Sequence, residues 1–346
     1  MTKPSAILGW DIGGVNTKAA RLAQESRGPV ARTLCLPYEV QREPPALGAT
    51  LRSVAEQLGA GPSDWHAITM TAELSQAFRT KREGVTFVLD AMEAAFPRDS
   101  LHVYTVEGRF VSPQEARLRP GGAAASNWAA TAHWVAQSFP TCILIDIGTT
   151  TTDLIPIVNG KVAARGLNDP ERLLSGELVY TGALRTPVEA ITQRVPLWGG
   201  SARLSAEGFA LIGDAHLWLG QLSQEDYTCR APDGRPATRD YAGERLARTV
   251  CADRDMLDDS AIDDIAAALA RAQVQAIAEA LETIRERYPE IRAAVVTGLG
   301  DFIAMEAANA AGLTVLPLAA RLGSGARTAP AAAVAWLLWE AQEAAQ

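Results

Sequence analysis

Two short stretches set 135 residues apart constrain this 346-residue chain more than any other feature. Ala6 to Trp10 is an apolar run ending in Asp11-Ile12-Gly13-Gly14, and Cys142 to Ile145 is an apolar run ending in Asp146-Ile147-Gly148. Setting Asp11 on Asp146 also sets Thr17 on Thr152. Each copy leads into a second extended segment. After the second copy a third segment, Lys161 to Arg165, is joined through Asn159-Gly160, a strong hairpin signal. A repeat this long predicts duplicated α/β domains, because solenoid repeats have periods of roughly 20–50 residues. At roughly 100–200 residues per domain the length holds two. The expectation is an N-terminal domain over 1–138 and a C-terminal domain over 139–346, with the terminal helix 331–344 free to pack back on the first.

The rest of the pattern fits mixed α/β layers. Leu47, Leu51, Val54, Ala55 and Leu58 recur at helical spacing, His66 to Thr71 reads as a strand, and Val85 to Phe96 as a helix. Ile262 to Tyr288 predicts a long helix with Ile265, Leu269, Val274, Ile277, Leu281 and Ile284 on one stripe. Ala293 to Thr297 reads as a buried strand running into Gly298-Leu299-Gly300. The longest apolar stretch, Ala329 to Trp339, is too short to span a bilayer.

Composition removes several function classes. A net charge of −8 gives no general attraction to nucleic acid or to an anionic membrane. The four cysteines are widely spaced without a CxxC pair, so reduced thiols and a cytoplasmic location are expected. No GxxxxGK[ST], GxSxG or HExxH motif occurs, and Ile303 stands where a dinucleotide fingerprint needs its third glycine. The four histidines are scattered and read as surface or hydrogen-bonded core residues. Lysine is scarce: Lys3, Lys18, Lys81 and Lys161 are the full set, and Lys18 lies inside the first repeat.

A strand ending in Asp-Ile-Gly and turning into polar residues suits phosphate. Glycine lets backbone N–H groups approach an anion, and threonine hydroxyls add donors. Gly13, Gly14, Asn16, Thr17 and Lys18 in the first loop, and Gly148, Thr149, Thr150, Thr151 and Thr152 in the second, are the candidate phosphate-binding residues. Gly298 and Gly300 form a third glycine turn. Arg185 could grip a phosphate with two parallel bonds. Carboxylates repel phosphate, so Asp11, Asp146 and Asp153 are expected to act through Mg²⁺ or water. Glu73, after a predicted strand end, and Glu177, among small residues, are candidate general bases beside Asp11 and Asp146.

Together these residues resemble the phosphate and adenosine motifs of the actin, sugar-kinase and heat-shock ATPase superfamily. That resemblance implies an α/β fold of two RNase H-like (actin/hexokinase-like ATPase) domains around a central phosphate-binding cleft. Thr71-Ala72-Glu73-Leu74 and the loop from Asp146 to Pro156 are similar to the hydantoinase/oxoprolinase group, whose hydrolase subunits are far longer. The segment Gly176 to Pro187, Arg245-Leu246-Ala247-Arg248 and the residues around Cys251-Ala252-Asp253 resemble its short subgroup associated with tetrahydromethanopterin-linked one-carbon transfer. The archaeal members of that subgroup are condensing enzymes of methanofuran biosynthesis. The resemblance implies a transferase joining an (aminomethyl)furanylmethyl diphosphate to the phenol of γ-glutamyltyramine or a tyrosine-derived analogue, with release of pyrophosphate. The implied partners are these small molecules, with no nucleic acid or membrane, and a homo-oligomer is open. Mg²⁺ is the implied cofactor, and ATP or another nucleotide a second ligand class. An ATP-dependent kinase, a hydantoinase/oxoprolinase-type ATPase, and a non-catalytic nucleotide-binding protein of one-carbon metabolism are the alternatives.

Overall fold

The computed structural model describes residues 4–25 and 28–344, so Lys3 lies outside the described residues. Six strands form the first sheet: β1 (Ala6–Ile12), β2 (Asn16–Glu25), β3 (Gly28–Pro37), β4 (Trp65–Met70), β5 (Leu101–Tyr104) and β6 (Phe110–Val111), in the order β3-β2-β1-β4-β5-β6. β1, β2 and β3 are an antiparallel meander, whereas β4 and β5 continue from β1 in parallel. All seven residues of β1 are buried, as expected of a strand covered on both faces.

Two different surfaces cover it. Leu8, Trp10 and Ile12 join a core with Leu47, Leu51 and Val54 of the helix Leu47–Gln57 and Val85, Val88 and Met92 of the helix Lys81–Ala95. The opposite face meets the terminal helix Ala329–Ala344, the apolar stretch noted in the sequence. Alanines make this approach close. A Cβ on Gly9 would stand 1.9 Å from the carbonyl oxygen of Ala331, so only glycine fits there.

The second sheet contains β7 (Cys142–Ile147), β8 (Thr152–Val158), β9 (Lys161–Val162) and β10 (Leu178–Val179). After a separate hairpin, β11 (Arg194–Leu197) with β12 (Gly200–Arg203), the chain adds β13 (Ala293–Gly298) and β14 (Thr314–Pro317). Its order is β10-β8-β7-β13-β14, with β9 paired to β8. Asn159 and Gly160 both take positive φ, +52° and +74°, which closes β8 onto β9 in the turn that Asn-Gly favours. β9 stops at Val162, short of the predicted Arg165.

Two compact units make up the chain. One gathers Met1–Cys142, Ile155–Ser175 and Pro317–Gln346; the other gathers Ile143–Leu154 and Gly176–Leu316. In the second unit the helix Asp259–Arg287 buries Ile265, Leu269, Ile277, Leu281 and Ile284 as its stripe predicts. The stripe departs from expectation at one point. Gln273 is fully buried, and Val274 is only partly so. No helix among the described residues is long and apolar enough to cross a membrane.

Candidate functional site

The repeat seen in the sequence is also a repeat of hydrogen bonding. Gly13 N donates to Asn16 O at 3.0 Å, and Gly148 N donates to Thr151 O at 2.9 Å, at equivalent places in the two copies. Each bond closes the turn between a buried strand and its antiparallel partner. In the first unit both β1 and β4 end at this edge: Thr71 N donates to Ile12 O, which sets the residues after β4 beside the first loop. The carboxyl ends of parallel strands are where open α/β sheets bind ligands.

In the first loop a Cβ on Gly13 would lie 2.8 Å from Asn16 O, so the tight turn itself needs this glycine. Gly14 has open space around it. Asp11 is buried, and Lys18 faces it across the β1–β2 register with Nζ 3.5 Å from Oδ2. Asp11 Oδ1 and the hydroxyl of fully buried Thr17 have no hydrogen-bond partner among the described residues.

The second loop is tied down from beneath. Ala183 N donates to Gly148 O, while Leu184 N and Arg185 N both donate to Thr149 O. Gly182 sits so close that a Cβ there would be 2.6 Å from Thr150 N. Thr152 is fully buried and gives its hydroxyl proton to Thr181 O at 2.7 Å, so it holds the loop's shape. Thr150 and Thr151 are the partly exposed hydroxyls. Asp146 and Asp153 are buried at the ends of β7 and β8. Gly298, with φ +96°, is where β13 presses against β7: a Cβ would be 2.5 Å from Asp146 Oδ1 and 2.3 Å from Ile147 O. Gly300 N donates to Ile147 O. Arg185 is exposed, and Glu177 is fully buried with Oε1 3.5 Å from Arg287 Nη1.

Glu73 has the most unusual surroundings. Gly84 of the helix Lys81–Ala95 packs on its backbone, where a Cβ would come within 2.5 Å of Glu73 Cα. The side chain is 1% exposed, and among the described residues no side chain hydrogen-bonds its carboxylate, although the nearby Glu73 and Ala125 backbone favours its ionised form. Burial raises its pKa to about 7, opposed chiefly by the Lys81 ammonium. Lys81 Nζ lies 3.8 Å from Glu73 Oε1 and 2.6 Å from Asp169 Oδ2. Asp169 in turn pairs with buried Arg172, whose guanidinium lies 4.6 Å from the ring centre of Trp128. Beside this cluster, Ala124 bridges to Met70, Ala125 takes a left-handed φ of +50°, and the hydroxyl of buried Ser126 has no partner among the described residues.

Sequence reasoning missed Lys81, Asp169, Arg172, Ser126 and Gln273. Only the scarcity of lysine could have flagged Lys81; the others come together through tertiary folding. Among the described residues no three or more His, Cys, Asp or Glu side chains gather in a way that would hold a metal by themselves.

The model of the hydantoinase/oxoprolinase family matches residues 64–341. The chain belongs to the hydantoinase/oxoprolinase family. Among relatives within reach of this family member is the (4-{4-[2-(γ-L-glutamylamino)ethyl]phenoxymethyl}furan-2-yl)methanamine synthase of Methanocaldococcus jannaschii. It is 37% identical over 302 residues, 87% of this chain and 88% of that protein. The synthase of the same name from Methanococcus vannielii is 36% identical over 177 residues, covering 51% of this chain and 79% of that protein. Of solved structures, a nucleotide-free acetone carboxylase aligns with a TM-score of 0.63 at 12% identity, covering 96% of this chain and 70% of that one. That likeness shows a shared fold, the actin/hexokinase-like ATPase fold with two sheet-containing domains.

Proposed function

We propose that this family member is a transferase of methanofuran- or methylofuran-type cofactor biosynthesis. It condenses an (aminomethyl)furanylmethyl diphosphate with the phenol of γ-glutamyltyramine or a tyrosine-derived analogue, forming an aryl ether and releasing pyrophosphate. The observation that carries this reading is the 37% identity, along 87% of the chain, with a synthase named for that ether product. The first loop of the repeat lies in one unit and the second loop in the other.

The chemistry makes two demands. A phenol with pKa near 10 is about one part in a thousand ionised at pH 7, roughly 4 kcal/mol short of phenolate. A base must supply part of this, and Glu73, with its pKa near 7, is matched to the task better than the ion-paired Glu177. Departure of diphosphate builds negative charge, and each loop carries groups suited to stabilise it: the backbone of Gly13 and Gly14 with Lys18 in the first, and the backbone of Gly148 with the Thr150 and Thr151 hydroxyls in the second. Arg185 is a further anion contact on the exposed side.

Mg²⁺ fits this set of donors. Asp11 presents a buried carboxylate oxygen with no hydrogen-bond partner among the described residues, the kind of group a hard cation satisfies. Asp11 in the first unit, and separately Asp146 with Asp153 in the second, are the carboxylates suited to hold it. Magnesium typically takes only one or two protein carboxylates and completes its shell with phosphate and water. When bound it neutralises charge on the diphosphate. A nucleotide could occupy the same phosphate-binding loops.

The test is incubation of the pure protein with both substrates and Mg²⁺, with pyrophosphate and ether product measured together. Formation of both is the expected result. Turnover of ATP without any furan diphosphate would favour a kinase or ATPase instead, and ligand binding without turnover would favour a non-catalytic role.

A further inference from the structure

We propose that Lys81 is the catalytic group that meets the phenolic acceptor, relaying the phenol's proton to Glu73. This deepens the condensing-enzyme reading and rests on it. Glu73 is sealed: its side chain is 1% exposed and both carboxylate oxygens are inaccessible to solvent. A phenol cannot touch those oxygens in this geometry, so any proton Glu73 exchanges must pass through a neighbour. Lys81 is that neighbour. Its side chain is 34% exposed, and Nζ stands 3.8 Å from Glu73 Oε1, a fraction of an ångström beyond hydrogen-bond reach. Catalytic hydrogen bonds are often this loose before substrate binds.

The rest of the cluster holds the ammonium in place. Asp169 Oδ2 takes Lys81 Nζ at 2.6 Å, and Asp169 is itself held by Arg172 stacked over Trp128. The charged groups that act on Glu73 are Lys81, which favours its ionised form, and Asp169, which opposes ionisation. Burial makes Glu73 a proton acceptor near neutrality, unlike a surface carboxylate.

The step balances. Lys81 passes one ammonium proton to Glu73, and its freed amine takes the phenol proton, so Glu73 ends protonated and the lysine cationic. The phenolate, now beside that cation, attacks the furanylmethyl carbon. A carbon–oxygen bond forms there as the carbon–oxygen bond to diphosphate breaks, and the electron pair departs with the diphosphate. Once product has left, Lys81 gives one proton to solvent and takes the Glu73 proton in its place, which restores the ionised pair.

Arginine separates relay from charge, because a guanidinium keeps the positive charge and does not deprotonate. Lys81→Arg and Lys81→Met are compared with wild type on γ-glutamyltyramine and on an acceptor whose phenol pKa is lowered below the assay pH by ring fluorination. Both variants are expected to lose about 100-fold in kcat on the natural phenol, with the KM of the diphosphate donor within about twofold of wild type. The fluorinated acceptor, already ionised, is expected to bring Lys81→Arg back to within about tenfold of wild type. A Lys81→Arg protein that keeps full kcat, or one equally slow on both acceptors, overturns the relay while leaving the condensing activity standing. Absence of product from the wild-type protein would instead overturn the functional reading, and the relay with it.

Discussion

Gln273 donates from Nε2 to the carbonyl oxygen of Gly182 at 2.8 Å, and this bond sets the hydrogen-bonding state of His216. A carbonyl only accepts, so the orientation of the Gln273 amide is determined, and its Oε1 is the atom that faces His216 Nε2 at 2.8 Å. His216 must therefore carry its proton on Nε2. Gln221 Oε1 stands 2.8 Å from Nδ1. Burial lowers the pKa of this ring, so in its neutral form Nδ1 is an acceptor and the Gln221 amide must be turned to present its NH₂. The same Gln273 NH₂ also reaches Thr181 Oγ1, and Thr181 O receives the Thr152 hydroxyl. A buried amide thus supports the second loop from below. Nitrogen-15 spectra are expected to show His216 as the neutral Nε2–H tautomer at pH 7. Gln273→Met leaves buried polar groups unpaired and is expected to cost about 1–3 kcal/mol in urea unfolding.

The pH dependence of stability should carry the signature of Glu73. Its folded pKa of about 7 lies above the ordinary value of 4.5, so the folded state holds this proton more tightly than the unfolded chain does. Stability from this group is fully present below about pH 4.5 and is lost as pH rises through about 7, a difference of about 3 kcal/mol. Glu73→Gln removes that slope. Chemical denaturation at pH 5 and pH 8 should show the variant gaining on wild type at the higher pH, while condensing activity falls.

Close packing of the terminal helix on β1 predicts a strong effect from the smallest possible change. Gly9→Ala would place a methyl group 1.9 Å from Ala331 O and 2.9 Å from Ala335 Cβ. The helix must shift along its contact with the sheet, at a cost of about 3 kcal/mol or more. Thermal unfolding of the variant measures this directly.

Chelation should separate catalysis from folding. The described residues contain no self-sufficient metal cage, so removing divalent cations is expected to abolish turnover and leave the thermal midpoint of the ligand-free protein within about 1 °C. Asp11→Asn is expected to reduce kcat by at least about 100-fold under saturating Mg²⁺.

What the sequence disclosed and what it hid follow from the range of each interaction. The repeat was visible because a strand, a glycine turn and a following strand are local, and the matching bonds at Gly13 and Gly148 are its three-dimensional form. The Asn159-Gly160 hairpin was visible for the same reason. Gln273 was hidden because periodicity marks buried positions by apolarity, and this one is polar, satisfied by partners about 90 residues away in sequence. The setting of Glu73 was hidden too: its motif can be read, but its burial depends on Gly84, and its partner chain runs through Lys81 to Asp169. The expected phosphate role of Thr152 yields to a local bond with Thr181, which period and spacing do not encode.

The central claim is that the phenol oxygen displaces diphosphate from a furanylmethyl carbon, and oxygen isotope tracing tests it most directly. γ-Glutamyltyramine labelled with ¹⁸O in its phenol is incubated with the furanylmethyl diphosphate, the protein and Mg²⁺, and both products are read by mass spectrometry. The aryl ether is expected to retain the full label and the released pyrophosphate to carry none. An unlabelled ether, label in the pyrophosphate, or no ether from folded wild-type protein would contradict that claim.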